Sequence, residues 1–530
     1  MCHCRSAPGS TGATCPLTFV DVPSPARPDV GVPRPAGTAP VSLAALAAGR
    51  GVLEGPEVLV SGITAATDLV RPGDLFAGVP GRSAHGASYV GAAAARGAVA
   101  LLTDPAGRAF AESLGIPVLV VPDVRAVLGA VSARIYHNPS RAMSMLGVTG
   151  TSGKTTTTFL MRAGLQAAGR VPGLIGTVAT MVGDVEIKTG FTTPEAIELQ
   201  ATFAAMLGGG DQACVMEVSS HALALHRADA IHWAVAVFTN LTQDHLDFHA
   251  GMEDYFAAKC VLFDRRRSRS AVVVVDDAWG NRLTEVVDGP LATVTTIGER
   301  RATWEAVDIE DQPDGSTSFR VLGPGVELDT GCAVPGRYNV ANALLALAIL
   351  HADGVDPNVA APAIAQASVP GRMERVDAGQ PYLAVVDYSH KPAAVDGALH
   401  ALRPLTTGRL IIVLGCGGDR DRGKRPHMGE IAARGADLLV VTDDNPRSED
   451  PAAIRRAMLD GALAVAPSQR GEVVEVGERA EAIAAAVAAA RAGDAVLIAG
   501  KGHETGQEIA GVVHPFDDRA VLRGAIEAAR

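Results

Sequence analysis

The sequence contains the stretch Val148-Thr149-Gly150-Thr151-Ser152-Gly153-Lys154-Thr155-Thr156, which follows an apolar strand pattern and precedes an apolar helical pattern. Glycines allow backbone N–H groups to curl around a phosphate, and the N-terminus of the following helix adds positive partial charge. Lys154 would reach the outer phosphates, and the Thr155 hydroxyl would bind Mg²⁺. The strict pattern requires glycine at position 148, where this chain has valine. Gly-Lys-Thr between a strand and a helix still favours a nucleoside triphosphate site over a ligand-free turn.

The nucleotide is expected to be ATP. A guanine site of the GTPase type would require an Asn-Lys-x-Asp motif, and the dipeptide Asn-Lys occurs nowhere in the chain. The residues predicted to bind the ATP phosphates are Gly150, Thr151, Ser152, Gly153, Lys154, Thr155 and Thr156.

The composition indicates a multidomain protein without a nucleic-acid or membrane partner. The 530 residues correspond to about three or four domains of roughly 150 residues each. Acidic residues outnumber basic ones by 58 to 46, and the net charge of −12 disfavours a coat for nucleic acids. No apolar run reaches the roughly 18 residues that a bilayer crossing needs, and no secretory signal pattern is present. We therefore expect a cytoplasmic monomer.

The apolar runs predict an α/β fold with three α/β domains. Short apolar runs alternate with alanine-rich helical patterns from about residue 41 onward. Breakers near 138 and 369 suggest an N-terminal domain (41–138), a central domain (139–369) and a C-terminal domain (370–530). Residues 1–40 are expected to form a disordered leader. The predicted strands are Val58–Val60, Asp74–Ala77, Val99–Leu102, Val118–Val121, Met143–Val148, Ala213–Val218, Ala234–Thr239, Ala271–Asp276, Ala384–Asp387, Leu410–Leu414, Leu438–Thr442 and Ala495–Ile498.

Polar and charged residues follow most strands of the central and C-terminal domains. Ligands bind beyond the carboxyl ends of strands in open parallel sheets, so we expect a site built by both domains. Glu217 ends one central strand and His245 follows another, and with the phosphate loop they form a plausible cation site. Lys259, taken alone, is typical of a surface lysine on a helix.

Five motifs occur in order along the chain: Thr149–Thr156, Glu217–His221, Thr239–Asp247, Gly336–Ala343 and Asp387–His390. They resemble the motifs of the Mur ligases, ATP-dependent amide-bond ligases that build the peptide of bacterial cell-wall precursors. The resemblance implies a UDP-substrate-binding N-terminal domain, a central P-loop mononucleotide-binding domain and a Rossmann-like C-terminal domain that binds an amino acid. It also implies a role in peptidoglycan synthesis, and hence in cell shape and cell division.

Three further segments, Gly415–Pro426, Asp444–Arg447 and Gly500–Glu504, resemble one branch of this family. That branch adds meso-diaminopimelate to the D-Glu of UDP-N-acetylmuramoyl-L-alanyl-D-glutamate through an acyl phosphate. Arg447 matches this branch, because a guanidinium can pair with the distal carboxylate that lysine lacks. An L-lysine-adding or folylpolyglutamate-type ligase is the alternative within the superfamily. A non-catalytic, nucleotide-dependent regulatory protein is the alternative of another class.

The resemblance also implies roles for individual residues. Lys154, His245 and Lys259 would be catalytic, with Lys259 carbamylated. The implied Mg²⁺ ligands are Thr155, Glu217, His245 and Lys259. Asn339 would lie on the adenine side of ATP, and Asp387 on the ribose side. The implied contacts to the UDP-muramoyl dipeptide are Thr67, Thr192, Thr193, Ser219 and Arg227. The implied diaminopimelate pocket consists of Arg420, Asp444, Asn445, Pro446, Arg447, Gly500 and Glu504.

Two positions depart from the family pattern. The N-terminal family motif Asp-Ser-Arg is replaced here by Ala66-Thr67-Asp68, so a hydroxyl is kept while the neighbouring charges change. Leu225 stands where relatives often have glutamine. Both departures concern the end of the site expected to hold the UDP-linked substrate.

Overall fold

The computed structural model describes residues 33–35, 37–81, 83–187, 190–298, 301–312 and 315–529. Three large sheets follow one another along these residues, each flanked by helices, which confirms the predicted α/β class. Most of the predicted leader lies outside the described residues. Arg34, near its end, is packed onto the fold: its Nη1 donates a 2.8 Å hydrogen bond to Asp74.

The first sheet has five strands. In spatial order they are Val52–Glu54, Val118–Val120, Ala100–Thr103, Asp74–Ala77 and Gly62–Thr64. The last four are parallel and the first is antiparallel to its neighbour. Val41–Ser42 and Leu59–Val60 form a separate two-stranded sheet. The helices of this region are Leu43–Ala47, Val90–Ala95 and Val124–Ile135.

The central sheet has eleven strands, and the strand before the phosphate loop, Ser144–Thr149, lies in its interior. The spatial order is Val185–Ile187, Thr180–Val182, Pro172–Ile175, Ala213–Glu217, Ser144–Thr149, Trp233–Phe238, Ser268–Val274, Leu291–Thr295, Trp304–Asp311, Thr317–Gly323 and Val326–Cys332. The strands from Pro172–Ile175 through Trp304–Asp311 are parallel. The carboxyl ends of Ser144–Thr149 and its two neighbours therefore meet at one edge.

Helices cover both faces of this sheet. Arg337–Ala352 is apolar on nearly every side and is correspondingly buried, packed against the phosphate-loop helix and the sheet. The helices of this region are Lys154–Ala167, Ala196–Gly208, Ser220–Ala224, Met252–Cys260, Ala278–Val286, Arg337–Ala352 and Pro357–Gln366.

The C-terminal sheet has six strands, all parallel except the short first one. Their spatial order is Glu374–Arg375, Leu383–Asp387, Ala495–Ala499, Leu410–Leu414, Leu438–Val441 and Glu472–Glu475. Ala495–Ala499, the last of these strands in sequence, thus lies between Leu383–Asp387 and Leu410–Leu414. Its helices are Pro392–Leu402, Lys424–Gly435, Pro451–Ala464, Arg479–Ala489 and Asp518–Ala528, and Gly506–Ile509 pairs with Val512–Pro515 in a hairpin. Across the described ranges, no helix is long and apolar enough to cross a bilayer.

The buried helix beneath the central sheet generates the first prediction. Leu345 lies in this helix with no exposed surface. We expect Leu345→Ala to lower the free energy of unfolding by about 2–5 kcal/mol, because it removes buried apolar contacts and leaves a cavity. Leu463→Ala is the matched control, since Leu463 is about half exposed on another helix. Urea unfolding measures both variants; equal losses would contradict the packing described.

Candidate active site

The phosphate loop depends on two glycines with positive φ. Gly150 has a φ of 148°, and a Cβ atom there would lie 1.8 Å from the Thr239 hydroxyl oxygen. Gly153 has a φ of 87° and precedes the helix that starts at Lys154. Two further hydrogen bonds hold the loop against the neighbouring strand end: Thr151 N donates to the Asn240 carbonyl and Ser152 N to the Asn240 side chain, each over 2.9 Å.

Two lysine side chains converge on this loop. Nζ of Lys154 lies 3.0 Å from the carbonyl oxygen of Gly150, and Nζ of Lys259 lies 2.9 Å from the same oxygen. Lys259 is only 1% exposed and also packs against Tyr255, with Nζ 4.5 Å from the ring centroid. The interpretation of Lys259 as a surface lysine is therefore wrong.

Crowding of positive charge and burial shift both amines toward the neutral form. Burial is the main cause that lowers the pKa of Lys154 to about 8, and the Glu217 carboxylate opposes it. Burial and then the nearby Lys154 ammonium hold the pKa of Lys259 well below its ordinary value. A neutral buried amine beside a charged one is the expected outcome. The amine of Lys259 thus contacts the phosphate loop, and its pKa is lowered.

Glu217 and Thr155 form a compact oxygen site. Oε1 of the buried Glu217 accepts hydrogen bonds from the Thr155 hydroxyl over 2.9 Å and from Thr177 N over 2.8 Å. Adjacent oxygens in an octahedron with ligand distances near 2.1 Å are also roughly 2.9 Å apart. These two side chains therefore fit one Mg²⁺ as neighbouring ligands.

His245 belongs to a different set of contacts. Its Nε2 lies 3.1 Å from Asp244, and its ring packs edge-on against His221 at 4.7 Å. Desolvation is the main cause that lowers the pKa of His245, although 41% of its side chain is exposed. Within the described ranges, no three His, Cys, Asp or Glu side chains form a metal-binding group. The second metal site therefore stays a prediction.

Two cationic side chains of the C-terminal region, neither of them among the predicted site residues, contact the phosphate loop and its surroundings. Nη2 of Arg372 lies 3.4 Å from the Thr155 hydroxyl, and Lys391 forms an ion pair with Asp244. Both cations contribute to the lowered pKa of Lys154. The sequence could have indicated both cations by their positions. Arg372 ends the breaker segment 369–372, and Lys391 directly follows the Asp387–His390 motif.

A narrow cleft next to the loop is lined by Thr156, Asn339, Val369 and Arg372, among others. Asn339 is buried, and its side-chain amide donates a 2.7 Å hydrogen bond to the Pro335 carbonyl. Asp387 is buried, and its carboxylate accepts hydrogen bonds from Met373 N (2.7 Å) and Ser389 N (2.8 Å). Asn339, the predicted adenine contact, lies at this cleft, and the ribose-side role of Asp387 stays a prediction.

Four of the predicted dipeptide contacts lie close to Glu217. The hydroxyls of Thr192 and Thr177 are 2.9 Å apart, and Thr193 Oγ1 donates to the Glu217 carbonyl over 2.8 Å. Ser219 caps the following short helix, and Arg227 donates to the Thr193 carbonyl over 3.3 Å. Thr67 lies apart from them, half-buried in the first domain.

The predicted amino-acid pocket is assembled from two strand-end loops. The Asn445 amide nitrogen lies 2.9 Å from Glu504, and its oxygen accepts a hydrogen bond from the fully buried Lys501 over 2.9 Å. Asp444 packs against Gly500, where a Cβ atom would lie 2.5 Å from the carboxylate. Lys501 escaped the sequence reading although it lies inside the Gly500–Glu504 motif.

Arg447 has two of its donors engaged. Nη1 donates to the Gly418 carbonyl over 2.7 Å, and Nε lies 3.2 Å from the Glu508 carboxylate. These contacts fix the plane of the guanidinium. Arg420 is exposed, and the Pro446 carbonyl accepts a turn hydrogen bond from Glu449 N over 3.1 Å.

A continuous set of contacts joins the two parts of the site. Arg372, next to Thr155, stacks on Tyr388 with its guanidinium carbon 4.5 Å from the ring centroid. Tyr388 in turn lies beside Glu504 of the pocket, and burial first and this carboxylate second raise the tyrosine pKa. The phosphate loop and the amino-acid pocket thus belong to one site.

A glycine-lined phosphate loop with a buried lysine, contacted by cations from the next α/β region of the chain, is typical of a P-loop enzyme whose site is shared by two regions. The profile described as Mur ligase middle domain matches residues 148–350, and that described as Mur ligase, glutamate ligase domain, matches 371–502. The chain belongs to the Mur ligase family, which confirms the resemblance seen in the motifs.

Its relatives are similar over most of their length. UDP-N-acetylmuramoyl-L-alanyl-D-glutamate--2,6-diaminopimelate ligase of Streptomyces avermitilis is 54% identical over 501 residues, covering 94% of this chain and 98% of that protein. The Corynebacterium glutamicum protein of the same name is 51% identical over 460 residues, covering 85% and 89%. A solved structure of a ligase with this name has a TM-score of 0.64 at 31% identity, covering 89% of this chain and 95% of that one.

The phosphate loop generates the second prediction. We expect Gly150→Ala to weaken ATP binding about tenfold or more, because the methyl group collides with Thr239 and the backbone strain costs about 1–3 kcal/mol. Gly91→Ala is the control, since no atom lies within 4 Å of its Cβ position. Calorimetric titration with ATP measures the affinity, and unchanged binding in Gly150→Ala would contradict the loop geometry.

Proposed function

We propose that this chain is the ATP-dependent ligase that adds meso-diaminopimelate to the D-Glu of UDP-N-acetylmuramoyl-L-alanyl-D-glutamate in peptidoglycan precursor synthesis. The observation that carries the proposal is the continuity between a phosphate loop contacted by Lys154 and the buried Lys259 and a pocket containing Arg447. Relatives of this name at 50–54% identity support it.

The reaction needs an activated carboxylate, because an amine does not displace oxide from a carboxylate. The γ-phosphate of ATP is transferred to the D-Glu carboxylate, and the acyl phosphate formed has a good leaving group. The amine of the incoming amino acid then attacks the acyl carbon, and phosphate leaves as the amide bond forms. Lys154 holds the phosphates in place and offsets the repulsion between two anions.

Thr155 and Glu217 would hold one Mg²⁺, and His245 with carbamylated Lys259 would complete a second site. Bound Mg²⁺ supplies charge neutralisation at the phosphates and the acceptor carboxylate. Lys259 suits carbamylation because its amine is buried and neutral. The amine lone pair bonds to the carbon of CO₂, one N–H proton leaves to solvent, and an anionic carbamate results. This reaction turns a poor metal ligand into an oxygen ligand.

Arg447 would select the amino acid. Diaminopimelate differs from lysine by a distal carboxylate, which the oriented guanidinium can pair with. Lysine would leave that guanidinium without its substrate partner, and sites built around such a partner reject the analogue by ~10⁴-fold or more. Asp444, Asn445 and Glu504 would hold the amine-bearing part of the same substrate.

The remaining assignments are also proposals. We infer that residues 41–138 bind the UDP moiety with Thr67 at its edge, that 139–369 bind ATP, and that 370–530 bind the amino acid. Thr192, Thr193, Ser219 and Arg227 would contact the muramoyl dipeptide, and Asn339 the adenine. A cytoplasmic monomer agrees with a substrate that is a soluble nucleotide.

The selectivity generates the third prediction. Wild type should incorporate meso-diaminopimelate over L-lysine by about 10⁴-fold in kcat/KM, and Arg447→Met should remove at least about 100-fold of that preference. The KM for ATP should stay unchanged. Product peptide is measured by chromatography with each amino acid in turn.

Arg266→Met is the control, because Arg266 is an exposed arginine in the central domain. Equal selectivity in Arg447→Met and wild type would remove Arg447 from the pocket. Efficient use of L-lysine by the wild type would favour the lysine-adding alternative.

The buried amine generates the fourth prediction. Lys259→Met should lower kcat about 100-fold or more while the protein stays folded, because the carbamate charge is lost from the reaction site. Isotopically labelled bicarbonate should produce a carbamate carbon signal in NMR spectra of wild type but not of the variant. A wild type without this signal, or a variant with full activity, would refute the carbamate.

A further inference from the structure

The C-terminal region contains an ion pair with no exposure to solvent. Arg479 and Asp518 each begin a helix, and both side chains have 0% exposure. Nε of Arg479 donates to Oδ1 of Asp518 over 2.8 Å, and Nη2 donates to Oδ2 over 2.7 Å. The pair is therefore bidentate, which fixes the plane of the guanidinium.

The remaining N–H groups of this guanidinium donate to two backbone carbonyls. Nη2 donates to the Ala499 carbonyl over 3.0 Å, and Nη1 donates to the Asp443 carbonyl over 3.3 Å. Ala499 immediately precedes Gly500, and Asp443 immediately precedes Asp444. Asp443 and Ala499 are thus the first residues of the two loops, 443–447 and 499–504, that form the predicted amino-acid pocket.

The two loops pack closely where Gly500 faces Asp444, with no room for a side chain on the glycine. A Cβ atom on Gly500 would lie 2.5 Å from Asp444 and 3.9 Å from Nη2 of Arg479. Burial is the largest influence and lowers the pKa of Arg479, but the carboxylates of Asp518, Asp444 and Glu504 together raise it above its ordinary value. The guanidinium therefore also lies near two carboxylates of the pocket.

We propose that Arg479, oriented by Asp518, is a positioning residue that sets the spacing of the 443–447 and 499–504 loops and thereby the affinity for the amino-acid substrate. It touches no substrate itself. The inference rests on the proposed function, because the pocket it supports is the diaminopimelate pocket.

A fully buried ion pair is a weak source of stability, since desolvation of the two charges offsets their attraction. Replacing both partners by apolar residues is often neutral, whereas removing one leaves an unpaired buried charge. A double replacement can therefore test the effect of the pair on substrate affinity without a large loss of stability. The double variant Arg479→Met/Asp518→Val removes the link to both carbonyls without leaving a charge behind.

The test measures the KM for meso-diaminopimelate, the KM for ATP and the melting temperature of the full-length enzyme. In the double variant we expect the KM for diaminopimelate to rise about tenfold, because small displacements of positioning groups are costly. The KM for ATP should not change, and the melting temperature should stay close to that of the wild type.

A second variant keeps the test decisive if the double variant does not fold. Arg479→Lys retains a charge for Asp518 but cannot reach both carbonyls at once, so it should show a smaller rise in the same KM with ATP unaffected. The matched control is Arg170→Met/Asp353→Asn, which removes a 2.7 Å ion pair of the central domain with no contact to the pocket.

A folded double variant with an unchanged KM for diaminopimelate would overturn the inference, as would an equal rise in both KM values. If only Arg479→Lys folds, an unchanged KM for diaminopimelate in that variant overturns it. Failure of wild type to use diaminopimelate would instead refute the proposed function, so the two failures are distinguishable.

Discussion

The carbonyl oxygen of Gly150 accepts hydrogen bonds from two amines, those of the partly buried Lys154 and the buried Lys259. Burial lowers the pKa of both amines, and the positive charge of Lys154 lowers that of Lys259 further. The rest of the site follows from this arrangement, because carboxylates and metal ligands must compensate whatever charge the two lysines carry.

The second constraint is that the site needs two domains. Arg372 and Lys391 contact Thr155 and Asp244 across the boundary, and Tyr388 links Arg372 to the pocket. Holding an anionic acceptor and an incoming amine in adjacent positions lowers the entropic cost of the reaction. The central and C-terminal sheets are separate, and the contacts of Arg372 and Lys391 join them at the site.

The parallel strands could be predicted from the sequence because strands buried on both faces are continuous apolar runs. The antiparallel strands of the region 304–332 carry no such run, because Trp304–Asp311 mixes apolar with acidic residues, so a reading based on continuous apolar runs does not find them. Contacts between distant parts of the chain could not be predicted either. The helix of Lys259 is polar enough to suggest exposure, but its side chain is buried against Gly150, which is distant in sequence. Arg372 was missed because its position at the 369–372 boundary is visible in the sequence but the contact of its side chain with Thr155 is not.

The most direct test follows oxygen from the acceptor carboxylate. UDP-N-acetylmuramoyl-L-alanyl-D-glutamate labelled with a heavy oxygen isotope in the D-Glu side-chain carboxylate is turned over with ATP and meso-diaminopimelate. An acyl phosphate intermediate predicts one labelled oxygen in the inorganic phosphate for each peptide formed. Peptide formation with unlabelled phosphate, or ATP hydrolysis with no peptide at all, would contradict the account.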